Sequence, residues 1–218
     1  MTRLQAPESL RLILVRHGES EANARGIIQG RLDFGLSELG RQQAQRVAER
    51  LYHEDVVRII TSPLLRAAQT ADVIGAAGGL APVAEPALME YDVGEISGLT
   101  GEEIRERHPH VAGAYARGER PLFAGEEGRE AFAARLSDVL ARLTAGPEGE
   151  TTVAVAHGGV VSAVCHLLIG LDLNRPGIFQ VANCSLTVIG RERSGRLAIR
   201  SHNDVCHLAG VVTTRDRG

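Results

Sequence analysis

The sequence contains no lysine: all 24 of its basic residues are arginine, set against 27 acidic residues. This absence excludes chemistry that depends on an enzyme lysine, such as a Schiff base, a pyridoxal phosphate anchor or the Walker phosphate loop. A genome rich in G and C favours arginine codons and would explain the bias. Every fixed cation is nevertheless a guanidinium, whose planar shape suits two-point binding of phosphate or carboxylate.

Tryptophan is also absent, aromatic residues make up only 3% of the chain, and there are 3 cysteines. An odd number of widely spaced cysteines indicates reduced thiols in a cytoplasmic protein. Two of them precede a histidine, at Cys165-His166 and Cys206-His207. Neither pair has the ligand spacing of a zinc site, so we predict no metal site.

Basic clusters and long apolar runs are missing as well. The net charge is −3 and the arginines are dispersed, so we expect no binding to nucleic acid. No apolar run reaches the roughly 18 residues of a membrane-spanning helix, and polar residues 1–8 lack the apolar core of a signal peptide. The sequence therefore predicts a cytoplasmic protein without a membrane partner.

Short apolar segments alternate with longer helical patterns, which is typical of an α/β domain. Residues 12–15, 56–61 and 152–156 are predicted strands of a mostly parallel sheet. Strands near residues 185–189 and 197–201 are predicted to form an antiparallel pair. Helices begin after Ser37, a predicted N-cap, and at Ser62-Pro63, where Ser62 is the predicted N-cap and Pro63 the first helical residue.

Residues 98–146 show helical patterns without a clear strand. We therefore predict a single-domain three-layer sandwich, with a mostly parallel central sheet between layers of helices. The domain is predicted to span residues 1–218, and the helical insert at about 98–146 is predicted to lie over the active-site end of the sheet.

Polar residues follow three of the predicted strands. Arg16-His17-Gly18 follows the first, His157-Gly158-Gly159 follows the strand at 152–156, and Arg66 lies in the first turn of the helix after Ser62-Pro63. Ligands of open α/β sheets bind beyond the carboxyl ends of the strands, so these groups are expected to share one space. Exposed glycine amides and a helix N-terminus both favour an anion. The pattern predicts a phosphate pocket that needs no metal.

Four motifs, in order, resemble those of the histidine phosphatase superfamily, also called the phosphoglycerate mutase-like family. They are LVRHGES at residues 14–20, TSPLLRAAQT at 61–70, LME at 88–90 and AHGG at 156–159. The ordered set is more specific than any single motif. The resemblance extends over about residues 12–208.

The resemblance implies a reaction through a phosphohistidine, without a cofactor or metal. His17 would be the nucleophile, and Glu90 would be the general acid that protonates the leaving group. Arg16, Arg66 and His157 would bind the phosphoryl oxygens. Further substrate contacts are implied for four residues: Asn23, Gln29, Gly30 and Gly158.

The motifs of this family occur in proteins with three kinds of function: phosphatases, mutases and non-catalytic binding modules. Mutases of this family hold the carboxylate of phosphoglycerate with a lysine and an arginine pair in the insert, whereas this chain has no lysine and its insert has no Arg-Arg pair. We therefore expect a phosphomonoesterase for small phosphorylated metabolites rather than a cofactor-dependent phosphoglycerate mutase. A non-catalytic phospho-ligand binding module is disfavoured because both His17 and Glu90 are present.

The sequence is compatible with several substrates and with more than one oligomeric state. The sequence does not select one phosphate ester among sugar phosphates, phosphoglycerates, nucleotides and related metabolites. The late strands at about 185–199 could form an edge that pairs in a homodimer, or an edge covered by the polar C-terminal tail.

Overall fold

Within residues 10–174 and 177–211, which the computed structural model describes, six strands form one sheet. The strands are β1 (Arg11–Arg16), β2 (Val56–Thr61), β3 (Val83–Ala84), β4 (Thr151–Ala156), β5 (Leu186–Arg191) and β6 (Leu197–Asp204). Their order across the sheet is β3-β2-β4-β1-β5-β6. Strands β1 to β4 pair in parallel, and β5 and β6 join antiparallel. The prediction of a mostly parallel sheet with a late antiparallel pair is confirmed.

Helices connect the strands along the described part of the chain. They are α1 (Glu21–Ala24), α2 (Glu38–Leu51), α3 (Leu65–Gly78), α4 (Gly101–Arg107), α5 (Pro109–Ala116), α6 (Arg129–Leu143) and α7 (Gly158–Leu168). Short 3-10 turns lie at Pro86–Leu88, Gly94–Ile96 and Cys206–Leu208. None of the helices described is long and apolar enough to cross a membrane.

The two faces of the sheet are covered by different helices. Side chains alternate along β1: Ile13 and Val15 pack with α2 and α3, whereas Leu12 and Leu14 pack with α6 and α7. Successive side chains of a strand point to opposite faces, so one apolar run contributes to both cores. The predicted three-layer sandwich is confirmed.

The segment at 98–146 contains α4, α5 and α6, and no strand. Helices α4 and α5 share a small apolar cluster with Ile96 and Phe123, whereas α6 packs into the main core through Phe132 and Leu136. The domain limits, 1–218 with an insert at about 98–146, stay a prediction. The expectations for residues 1–8 and for the C-terminal tail after residue 211 lie outside the described residues.

The starts of two helices show where sequence signals hold and fail. Ser37 caps α2 as predicted: its hydroxyl oxygen accepts from the Gly40 amide at 3.0 Å. The prediction for α3 is wrong, because that helix begins at Leu65 and not at Pro63. The Leu65 amide donates instead to the carboxylate of Asp33 at 2.6 Å. A distant side chain therefore replaces the local cap, and the Ser62 hydroxyl turns toward His157.

Candidate active site

Two histidines meet because the strands that precede them are neighbours. In the parallel pair of β1 and β4, Arg16 lies opposite Ala156, and the His17 amide donates to the Ala156 carbonyl at 2.9 Å. The next residue along each strand is a histidine. Their ring centroids lie 5.2 Å apart in an edge-to-face arrangement. The predicted convergence of the two strand ends is therefore present.

The hydrogen bonds of His17 define which nitrogen carries its proton. Nδ1 lies 2.7 Å from the Gly18 carbonyl oxygen, and a carbonyl only accepts, so Nδ1 donates. In the neutral ring Nε2 then holds the lone pair. The Nε of Arg66 donates to it at 3.3 Å. His17 is also one of the residues that line a cavity at this end of the sheet.

Both histidines are held in the neutral form. Burial lowers the pKa of His17 well below its usual 6.5, and the charges of Arg16 and Arg66 lower it further. Burial also lowers the pKa of His157 well below 6.5, with added repulsion from His17 and the two arginines. A buried ring among guanidinium groups binds a proton poorly because the cation would be both desolvated and repelled.

Two arginines bring fixed positive charge to the histidines. Arg66 is 1% exposed, and its terminal nitrogens donate to the carbonyls of Gly30 and Leu32, each at 2.8 Å. Arg16 donates to the Val181 carbonyl. Burial lowers the pKa of both guanidinium groups, but arginine remains protonated in proteins. Their charge is therefore permanent.

Two buried nitrogen atoms near the histidines have no hydrogen-bond partner within the described residues. They are Nε of Arg16 and Nδ1 of His157. The other ring nitrogen of His157 lies 2.8 Å from the Ser62 hydroxyl. Buried polar atoms are nearly always paired in native proteins, so such a pair points to a polar ligand.

The Glu90 carboxylate reaches the same region from the turn that follows β3. One oxygen accepts from the Tyr91 amide at 2.8 Å, and the other accepts from the Gly159 amide, at the start of α7, at 2.9 Å. A Cβ on Gly159 would lie 2.3 Å from Oε1 of Glu90. A side chain at position 159 would therefore displace the carboxylate from this position.

A cavity of about 460 Å³ joins these groups. Its wall includes eight of the predicted site residues: Arg16, His17, Asn23, Gln29, Gly30, Arg66, Glu90 and Gly158. The ninth, His157, is fully buried and contacts the ring of His17, which lines the cavity. The outer part of the cavity is aromatic and carries one further cation; its residues include Tyr91, Tyr115, Arg120 and Phe123.

Asn23 and Gln29 are oriented by Ser20. The Ser20 hydroxyl lies 3.0 Å from the amide oxygen of Asn23 and 2.9 Å from that of Gln29. The same Asn23 oxygen accepts from the Ser20 amide at 3.2 Å in a capping box that begins α1. With the two oxygens engaged, the amide nitrogens are the donors left for an anion.

Comparisons with known proteins identify the family of this chain. The family model of the histidine phosphatase superfamily, branch 1, matches residues 12–205. The chain belongs to the histidine phosphatase superfamily. The predicted family and enzyme class are confirmed.

Relatives of this histidine phosphatase include named phosphatases. Phosphoserine phosphatase 1 of Hydrogenobacter thermophilus is 36% identical and is matched over 91% of this chain and 94% of its own length. A probable phosphoglycerate mutase of Photorhabdus laumondii is 33% identical over 91% and 95%. A solved mycobacterial glucosyl-3-phosphoglycerate phosphatase is 32% identical, with a TM-score of 0.80 over 89% of this chain and 99% of that one.

Several residues of this histidine phosphatase site were not anticipated. Asn183 donates to the His17 carbonyl at 3.0 Å, and Thr70 accepts from the Gly18 amide at 3.1 Å. Ser62 contacts His157 rather than capping α3. Ser62 lies in the motif at 61–70 but was predicted only as an N-cap, and no sequence pattern pointed to Asn183, which lies in the connection between α7 and β5.

Proposed function

We propose that this protein is a metal-independent phosphomonoesterase that acts through a phosphohistidine on His17. The observation that carries the proposal is the lone pair of His17 Nε2, which lies in one cavity with two arginines and the Glu90 carboxylate. A neutral imidazole, permanent cations and a carboxyl group are the components that phosphoryl transfer to and from histidine requires.

In the first step, His17 Nε2 donates its lone pair to phosphorus as the ester P–O bond breaks. Protonated Glu90 gives its proton to the leaving oxygen, and the alcohol departs. Nδ1 keeps its proton on the Gly18 carbonyl throughout. Arg16 and Arg66 balance the charge on the equatorial oxygens, together with the Nδ1 proton of His157.

In the second step, the Glu90 carboxylate takes a proton from water as the water oxygen attacks phosphorus. The N–P bond breaks, its electron pair returns to Nε2, and inorganic phosphate leaves. Asn23, Gln29 and the backbone at Gly30 and Gly158 are proposed to hold the phosphoryl oxygens in both steps. Acid and base are then one residue acting in sequence.

The substrate is proposed to be a small phosphate ester that carries a second anionic group. Arg120 supports this, because its guanidinium lies on the cavity wall, 4.4 Å above the Tyr91 ring. The relatives named for phosphoserine and for glucosyl-3-phosphoglycerate act on esters that bear a carboxylate. A guanidinium suits such a group because it can donate two parallel hydrogen bonds.

The partners and location complete the proposal. We expect only small-molecule partners, with no nucleic acid, and a homodimer stays part of the proposal. The three cysteines are free thiols, which suits the reducing cytoplasm.

The test is hydrolysis of p-nitrophenyl phosphate in EDTA, followed by a panel of phosphorylated metabolites scored by released phosphate. Activity that survives EDTA is expected. Full loss in EDTA that zinc or magnesium restores would contradict the metal-independent mechanism. A phosphorylated His17, trapped by acid-free quenching and located by mass spectrometry, is the expected intermediate.

A mutase is distinguished by its product. The protein is incubated with 3-phosphoglycerate and a small amount of the bisphosphate, and both 2-phosphoglycerate and free phosphate are followed. We expect free phosphate to form faster. Faster formation of 2-phosphoglycerate would contradict hydrolysis as the main reaction. It would mean that the phosphoryl group returns from His17 to the product, as in a mutase.

A further inference from the structure

A three-residue ion cluster lies behind the catalytic carboxylate. It consists of Glu127, before α6, Arg135 on α6, and Arg31, which directly follows the cavity residue Gly30. Both Glu127 oxygens bind Arg135, through its Nε and, at 2.9 Å, through Nη2. Arg31 joins the same carboxylate at 3.0 Å. The Glu127 side chain is 10% exposed, so these contacts are largely shielded from water.

Both arginines of the cluster also bind the main chain at Glu90. Arg135 donates to the Glu90 carbonyl at 3.2 Å and to the Ala87 carbonyl at 2.7 Å. Arg31 contacts the Glu90 carbonyl at 3.4 Å. Residues 87–90 form the turn from which the Glu90 side chain enters the cavity. Glu127 binds the two guanidinium groups that donate to the carbonyls of this turn. Neither Arg31 nor Arg135 lines the cavity.

Among the described residues, no side chain donates a hydrogen bond to the Glu90 carboxylate. Its two oxygens are held by backbone amides, one of them the amide of the adjacent residue Tyr91, so the position of the carboxylate depends in part on the Glu90 main chain. Proton transfer requires the donor and acceptor oxygens to approach within hydrogen-bond distance. A displacement of 1 Å far from the chemistry can cost about 100-fold in rate.

We propose that Arg135, oriented by Glu127 and assisted by Arg31, is a positioning residue that holds Glu90 at the distance from which it protonates the leaving group. The proposal rests on the proposed function of the site. It predicts that loss of Arg135 weakens acid catalysis specifically, while attack by His17 and phosphate binding remain.

Two substrates of nearly equal shape separate these effects: p-nitrophenyl phosphate and phenyl phosphate. The p-nitrophenolate group leaves with little protonation, whereas the more basic phenolate needs the acid. Because kcat/KM covers only the steps up to release of the alcohol, the second step does not enter. In Arg135→Gln we expect kcat/KM to fall about tenfold more for phenyl phosphate than for p-nitrophenyl phosphate, part of the ~10²–10⁴-fold effect of a general acid.

Glu127→Gln is the second variant and is expected to shift the ratio in the same direction. The matched control is Arg46→Gln, on α2, where an exposed arginine pairs with the exposed Glu49; its ratio should equal that of the wild type. Thermal melting of each variant accompanies the kinetics. If Arg135→Gln fails to fold, Glu127→Gln decides the outcome alone.

An equal fall for both substrates would overturn the positioning role, because general damage to the site does not depend on the leaving group. The positioning role would also be contradicted if Arg135→Gln and Glu127→Gln both kept the wild-type ratio of kcat/KM for the two substrates. A wild-type protein that hydrolyses neither substrate would instead refute the proposed function. The two failures are therefore distinguishable in one set of assays.

Discussion

The imidazole of His17 can attack phosphorus only while Nε2 keeps its lone pair, and the Gly18 carbonyl secures this by holding the proton on Nδ1. His17→Asn should therefore lower the rate with p-nitrophenyl phosphate by several orders of magnitude, because it removes the covalent route. Steady-state assays and phosphate binding by calorimetry check this. His53→Asn, at an exposed position remote from the cavity, is the control; high residual activity in His17→Asn would contradict the nucleophile.

Arg120 lines the cavity and is proposed to bind the second anionic group of the substrate. In Arg120→Leu we expect KM for phosphoserine and 3-phosphoglycerate to rise about tenfold or more, since a charge-assisted hydrogen bond contributes about 1.5–3 kcal/mol. KM for p-nitrophenyl phosphate should stay within about twofold. Arg117→Leu, where an exposed arginine pairs with Glu119, is the matched control. Equal changes for all three esters would remove Arg120 from substrate recognition.

At the scale of elements, the start of α7 and the turn after β3 must approach closely. Gly159→Ala places a methyl group against the Glu90 carboxylate, which a Cβ would meet at 2.3 Å from Oε1. The side chain can swing away, so we expect a small change in melting temperature but a fall in kcat/KM for phenyl phosphate of about 100-fold, the scale of a lost general acid. Gly78→Ala, at the end of α3 with open space around it, is the control.

A stable, fully active Gly159→Ala protein would show that Glu90 does not depend on this contact. If the variant instead unfolded, glycine at position 159 would be required for the folding of α7 rather than for the position of the carboxylate. The Gly78→Ala protein should keep its activity and gain up to about 1 kcal/mol in stability, because alanine is the better helix residue.

What the sequence predicts well is the part of the site that strand order determines. His17 and His157 each follow an apolar strand, and parallel neighbours place such residues together. The approach of Glu90 to Gly159 depends on how the chain returns after β3, which no periodic pattern encodes. The prediction that Ser62 caps α3 is wrong for a similar reason. The Leu65 amide donates to Asp33, which is distant in sequence, whereas a capping motif identifies only partners that are close in sequence.

At the scale of the whole molecule, the active site limits stability in acid. Folding buries His17 and His157 beside Arg16 and Arg66, and this lowers the pKa of both imidazoles well below 6.5. The unfolded chain binds protons at these rings from about pH 6.5 downward, while the folded protein does not. Protons therefore favour unfolding, and the protein is most stable above that pH.

The free energy of unfolding should accordingly fall as the pH is lowered from 7 to 5, by up to about 1.4 kcal/mol per pH unit for each of the two histidines. Burial lowers the pKa of His207 as well, so a smaller slope should remain from that ring. In His17→Gln the slope should decrease by the contribution of one histidine. Urea unfolding at several pH values measures how the free energy of unfolding depends on pH. A slope unchanged in His17→Gln would mean that this imidazole takes up protons in the folded protein as readily as in the unfolded chain, so burial would not hold it neutral as the pH falls.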